Sequence, residues 1–147
     1  MKLSSRKKIR EYSSVKKTTV LLCLLGLFFV NVLCAHNAFA LPQDYKVVSG
    51  TAEFKVTDES TLTINASNNA IVNYGSFNIA QNERVIINLP DASSQILNRV
   101  TPNAPTNIYG SLSSNGLIIL VNEAGIYVAP SANISARSVV LSTRDIT

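Results

Sequence analysis

The chain has 147 residues, 13 Lys or Arg against 9 Asp or Glu, and a formal net charge of +4. Its two ends differ in composition. Residues 1–40 hold seven of the 13 basic residues and one of the nine acidic ones, so residues 41–147 keep six basic and eight acidic residues, a net charge of −2. The basic pI of 9.2 therefore belongs to the N-terminal segment and excludes the argument for a nucleic-acid partner that it first suggests.

Lys2, Arg6, Lys7, Lys8, Arg10, Lys16 and Lys17 precede the 14-residue apolar run VLLCLLGLFFVNVL at 20–33, and Ala38-Phe39-Ala40 follows it. A basic start, an apolar stretch of about 7–15 residues and an A-x-A ending make up a cleavable secretory signal. We expect residues 1–40 to be a signal peptide, read by the Sec translocase and cut by signal peptidase after Ala40, with Ala38 and Ala40 as the small residues of the site. A membrane anchor needs roughly 20 apolar residues, and this run is interrupted at Asn31 and soon followed by His36-Asn37. A lipoprotein signal is disfavoured because the bulky Leu33 precedes Cys34.

Both cysteines, Cys23 and Cys34, and the single histidine, His36, leave with that segment. Disulfides, thiolate or imidazole metal sites and Ser-His-Asp or Cys-His catalysis are then excluded for residues 41–147. No cofactor is expected.

From residue 41 onward, apolar residues recur with period two. Leu62, Ile64 and Ala66 alternate with Thr61, Thr63 and Asn65; Phe77 and Ile79 alternate with Ser76 and Asn78; Val85, Ile87 and Leu89 alternate with Ile86 and Asn88. Leu117, Ile119 and Val121, then Ile126 with Val128 and Val139 with Leu141, continue the pattern. These are short strands rich in β-branched residues. Corners of Asn, Asp, Gly, Ser and Pro separate them, at 67–69, 80–83, 90–94, 101–107, 113–116 and 122–125. Asn115-Gly116 is a turn pair that would suit a hairpin. Many strands are only about three residues long, however, and the circuit from Ile119 through Ile126 and Ile134 to Leu141 closes in 22 residues, as one coil of a parallel β-helix would. Tyr74-Gly75-Ser76-Phe77 returns as Tyr109-Gly110-Ser111-Leu112, an echo at an offset of 35 residues.

Residues 63–146 carry a more specific pattern. NYGSFNI at 73–79 is similar to an N-W/Y-x-S-F-N-I segment; Leu97-Asn98-Arg99-Val100 matches an L-N-R-V segment; and Ile108, Gly110, Leu112, Asn115 and Gly116 match an I-x-G-x-L-x-x-N-G block that runs into Leu120-Val121-Asn122. In this order and spacing the chain resembles the N-terminal domain of the filamentous haemagglutinin family, the TPS (two-partner-secretion) domain of exported bacterial exoproteins. The family's N-P-N-G turn falls on Asn122-Glu123-Ala124-Gly125, where Pro and the second Asn are replaced, and its N-P-N-L signature has no counterpart.

The resemblance implies an all-β fold, a right-handed parallel β-helix with N-terminal capping strands drawn from 43–66. Lys46, Lys55 and Asp58-Glu59 would keep the cap's edge wet. It implies a secretion-targeting and fold-nucleating domain at 41–147, exported through the periplasm of a Gram-negative bacterium to the cell surface or medium. The implied partner is an outer-membrane β-barrel transporter with periplasmic POTRA domains. It also implies a longer exoprotein, adhesin or cytolysin, of which this sequence is an incomplete piece. Asn98, Arg99, Asn115, Gly116, Asn122 and Gly125 are the candidate recognition residues, and for Asn122 and Gly125 a purely geometric role as coil corners stands beside recognition. Tyr74, Tyr109 and Tyr127 read as stacking or rim aromatics.

An enzyme of β-helical type needs convergent carboxylates or a carboxylate-bound calcium. The acids here are scattered, and Asp58 and Glu59, adjacent on a strand, would point to opposite faces. The other non-enzymatic reading is a self-contained surface-binding module without a dedicated transporter.

Overall fold

The computed structural model describes residues 40–101 and 104–145; the expected signal up to residue 39, Ala38 included, lies outside the described residues, and only its last residue, Ala40, lies within them. Phe39–Thr147 forms one compact unit. Its strands are β1 (Lys46–Ser49), β2 (Ala52–Asp58), β3 (Thr61–Ala66), β4 (Ala70–Tyr74), β5 (Arg84–Asn88), β6 (Gln95–Val100), β7 (Thr106–Ile108), β8 (Ser111–Ser114), β9 (Leu117–Asn122), β10 (Ile126–Val128), β11 (Asn133–Ser135) and β12 (Ser138–Ser142).

The chain winds as a parallel β-solenoid with three faces. One face stacks β3, β5, β8 and β11 in parallel, a second stacks β4, β6, β9 and β12, and a third carries β7 on β10 with an isolated bridge from Ile79 to Ile108. Thr61 lies over Arg84, Arg84 over Ser111 and Ser111 over Asn133, so successive passes along the first face take 23, 27 and 22 residues. Short strands suit this winding because a corner interrupts the chain every few residues and no pass has to cross a sheet. In-register stacking puts like residues in inward columns: Leu62, Val85, Leu112 and Ile134 on one face, and Ala70, Ile96, Ile118 and Val139 on the next. Leu62, Val85, Leu112, Ala70, Ile96 and Ile118 are all core residues.

The cap is smaller than the sequence suggests. β1 runs antiparallel on β4 and β2 antiparallel on β3, both with a register irregularity, whereas β3 is already the first parallel strand of the solenoid. Val47, Ala52 and Phe54 pack against the core from above. Phe54 stacks on Tyr45 with centroids 3.7 Å apart and meets Tyr74 edge-on at 6.3 Å; Tyr74 meets Phe77 edge-on at 5.1 Å. This aromatic chain seals the end where parallel pairing stops.

The pairing corrects the expected face of β9 and decides two readings that the sequence leaves open. In β9 the inward residues are Ile118 and Leu120, both 0% exposed, and not Leu117 and Ile119. LIILV is apolar at every position, so the sequence offers no alternation there; the register comes from the pairs Ile96–Ile118 and Asn98–Leu120. Leu141 accordingly stacks on Leu120, one residue off the circuit drawn from Ile119. The Tyr74 and Tyr109 echo is not a coil repeat: Tyr74 stacks on Val100 and is buried, whereas Tyr109 follows the Ile79–Ile108 bridge and is exposed. Asn115-Gly116 makes no hairpin, because it joins β8 to β9, which belong to different sheets.

The β9 correction is measurable. Ile118→Ala is expected to cost about 2–5 kcal/mol of unfolding free energy, as for other buried large-to-small changes, and Ile119→Ala clearly less. The reverse order in denaturant titrations would restore the opposite face.

Candidate functional site

The candidate residues divide between the interior and two corners, and the structure does not gather them into one cluster. Asn98 sits mid-β6 in the inward column between Val72 and Leu120 and is 0% exposed. A polar side chain there must be satisfied inside the coil. The Tyr74 hydroxyl donates to Asn98 Oδ1 at 2.9 Å, and Asn98 Nδ2 donates to the Ile119 carbonyl at 3.3 Å, in the next coil. Burial, with Tyr45 adding to it, pushes the Tyr74 hydroxyl well above its ordinary pKa, so it stays a donor. Neither residue is offered to a partner by the folded domain. Arg99, next along the strand, points outward, and its Nε donates to Asp145 Oδ1 at 2.8 Å in an ion pair open to solvent. Such a pair contributes little to stability.

The corner after β8 is fixed by Asn115. Its Oδ1 accepts the Leu89 N–H at 2.8 Å and its Nδ2 donates to the Leu89 carbonyl at 2.7 Å, so one side chain holds both backbone groups of a residue in the preceding coil. Gly116 follows because a Cβ there would collide with the Ser94 carbonyl oxygen, against which Leu117 N–H is also bonded at 3.0 Å. Close backbone approach, not left-handed geometry, requires this glycine.

The corner after β9 works differently. Asn122 is 0% exposed; its Nδ2 donates to the Ala104 carbonyl and to Thr106 Oγ1, each at 3.0 Å, and its Oδ1 accepts the Ala124 N–H at 2.9 Å. Gly125 closes the turn onto the Asn122 carbonyl at 3.0 Å with φ +115°, and its own carbonyl accepts the Thr106 N–H at 2.9 Å. Glu123 and Ala124 are exposed. The family's turn therefore survives loss of its Pro and second Asn because the two remaining residues carry its geometry: one side chain docks on the preceding coil and one backbone adopts a conformation that favours glycine.

Ala40, the last residue of the expected cleavage site, is described and donates its N–H to Glu83 Oε1 at 2.7 Å. Glu83 was not singled out in the sequence, where it reads as a turn acid; nor was the pairing of Tyr74 with Asn98, since residues 24 apart give no local signal. Tyr109 and Tyr127 lie with ring centroids 5.8 Å apart on the surface, as rim aromatics. A polar groove of about 460 Å³ runs past Asp58, Ser60, Glu83, Arg84 and Ser131. Among the described residues no group of three or more His, Cys, Asp or Glu is placed to hold a metal ion.

The two glycine corners differ in a way that mutation can read. Gly125→Ala meets open space, with Pro105 Cβ at 4.0 Å, and carries only the backbone strain of about 1–3 kcal/mol. Gly116→Ala drives a methyl into fixed backbone and is expected to lower the thermal unfolding midpoint more; equal effects would contradict the close-approach account.

Comparison with known proteins bears on these corners. The family described as TPS secretion domain matches residues 38–147. A heme/hemopexin-binding protein of Haemophilus influenzae strain Rd is 31% identical over 110 residues, 75% of this chain and 12% of that protein. Another heme/hemopexin-binding protein of Haemophilus influenzae is 30% identical over 118 residues, 77% of this chain and 13% of that protein. The chain thus spans about an eighth of the length of these relatives. The crystal structure of the HMW1 secretion domain from Haemophilus influenzae superposes with a TM-score of 0.70 at 39% identity, over 72% of this chain and 28% of that one. With its capped solenoid and with the family match covering the whole of the compact unit, this chain belongs to the TPS secretion domain family.

Proposed function

We propose that the domain is read by a dedicated outer-membrane β-barrel transporter through its periplasmic POTRA domains, after Sec-dependent export and removal of residues 1–40 by signal peptidase. Secretion by Gram-negative bacteria is the general property of TPS-domain proteins. The observation that supports recognition before folding is the burial of Asn98 and Asn122, both 0% exposed in the folded domain. A partner reading these side chains has to meet them in an extended chain, where strand addition to a transporter sheet supplies backbone hydrogen bonds as affinity. Once the chain emerges, the same groups turn inward, and the cap with its first coils becomes the nucleus on which further coils stack. Arg99 and Asn115 belong to the same extended stretch, and in the folded domain Asn115 is spent on Leu89.

The domain's own role is targeting and folding, not catalysis. Heme or hemopexin binding is named for two relatives of which this chain matches 12–13%, and it is not part of the role proposed for this domain.

Export decides the matter. Residues 1–147 expressed with a transporter from the same genome should reach the medium, and without it should stay in the periplasm; equal appearance in both cases would favour an independent surface module. Arg99→Gln separates reading from folding, because its ion pair is open to solvent and contributes little to stability: a loss of export with an unchanged β-rich spectrum and unfolding midpoint in the purified chain supports recognition of Arg99, and unchanged export contradicts it.

A further inference from the structure

Glu83 is a buried carboxylate, 7% exposed, at the corner that leads into β5. Its Oε2 accepts the Ala80 N–H at 2.8 Å, and Glu83 N–H donates back to the Ala80 carbonyl at 2.9 Å, so the side chain is held by its own turn. Its Oε1 accepts the Ala40 N–H at 2.7 Å. Both donors are neutral, and among the described residues Glu83 has no ion pair. A buried carboxylate is costly unless a positive charge balances it.

The segment that reaches Glu83 is fixed just beyond the contact. Leu41, at 7% exposed, is a core residue and Pro42 is buried. Gln43 forms an antiparallel bridge to Ser76, with its N–H on the Ser76 carbonyl at 3.0 Å and its carbonyl accepting the Gly75 N–H at 3.0 Å. The Ala40–Leu41 peptide, where the A-x-A pattern places cleavage, therefore lies between an anchored stretch and an uncompensated acid.

We propose that Glu83 is the receptor for the α-ammonium group that signal cleavage creates at Leu41. Hydrolysis adds water across the Ala40–Leu41 bond: the oxygen passes to the Ala40 carboxylate and the Leu41 nitrogen leaves as an ammonium. The processed chain folds without the Ala40 N–H that Oε1 accepts here, and it brings instead a positive charge one residue along, within about one Cα spacing of ~3.8 Å, on a residue whose side chain is seated in the core. The resulting charge-assisted bond is stronger than the amide contact it replaces. It fastens residues 41–43 beneath the cap only in the processed chain, so the tightest packing of the N-terminal end waits for removal of the signal.

This rests on cleavage after Ala40, and the test separates the two. The chain exported from cells expressing residues 1–147 is purified, and its intact mass shows whether it begins at Leu41; a different start overturns both the cleavage reading and the proposal. With that start established, the Leu41 amine is titrated by the ¹³C shift of its own Cα. Its pKa is expected above the ordinary α-amino range of about 7.7–8.0, and Glu83→Gln is expected to return it to that range. Asp44, Asp58 and Arg84 are the other charged groups of this corner, all exposed, so Asp58→Asn should leave the titration in place. The sign for stability follows: folding favours the ammonium, so its contribution is full below the unfolded pKa and lost as pH rises through the folded one. The unfolding midpoint should fall between pH 7 and 10 in the parent and stay flatter in Glu83→Gln. An ordinary pKa in a chain that begins at Leu41 would overturn the proposal, and this reading needs no variant to fold.

Discussion

Each coil of this domain can be stable only when another backbone covers it. A single pass of three short strands buries no side chain by itself and leaves every N–H and C=O of its strands unpaired. The parallel ladders from β3 to β11 and from β4 to β12 satisfy those groups between coils, while the inward columns of Leu, Ile and Val exclude water. Burial follows that dependence: Ile64, Ile87, Ile96 and Leu120 in the inner coils are 0% exposed, whereas Leu141 in β12, which stacks on Leu120, is 40% exposed. At the other end β1 and β2 reverse direction and the Tyr45, Phe54, Tyr74 and Phe77 rings close the core. Antiparallel strands can end a parallel stack because they pair on one side and present a bulged, partly charged edge on the other.

Apolar columns alone do not choose a register, since Ile and Leu are interchangeable along a face. The buried polar groups do. Asn98 in a column that also holds Val72 and Leu120 finds the Tyr74 hydroxyl only when β4 and β6 are aligned as they are, and Asn122 finds Thr106 only when β9 lies on β6 and β10 on β7 as they do. Slippage by one coil position would leave these amides without partners, at a cost of about 1–3 kcal/mol each. In the folded domain these side chains therefore fix the alignment of one coil on the next.

Much of this was legible in the sequence where composition alternates. Leu62, Ile64, Val85 and Ile87 are flanked by polar residues, and their inward orientation follows from period two. β9 was not legible, because LIILV gives both faces the same chemistry and only Ile96 and Asn98 in the neighbouring strand break the tie. The Asn122 and Gly125 corner was visible as a turn, and its split of labour, a docking side chain and a positive-φ backbone, explains why Glu123 and Ala124 are tolerated between them. Asn98 was visible as part of a motif but not as an interior residue: its partner lies 24 residues away in sequence, and Asn on a strand is ordinarily a surface residue. The cap was drawn too long because β3 has the same alternation whether its neighbour runs parallel or antiparallel.

Amide hydrogen exchange on the purified domain tests the dependence of each coil on its neighbours most directly. Protection should be greatest in β3, β4, β5, β6, β8 and β9, which are paired on both sides, and should decline toward β11 and β12, with β1 and β2 slower to exchange than that open end because the aromatic seal covers the core beneath them. Uniform protection along the stack, or faster exchange in β5 and β6 than in β12, would contradict a solenoid held together by coil-on-coil coverage from a closed N-terminal end.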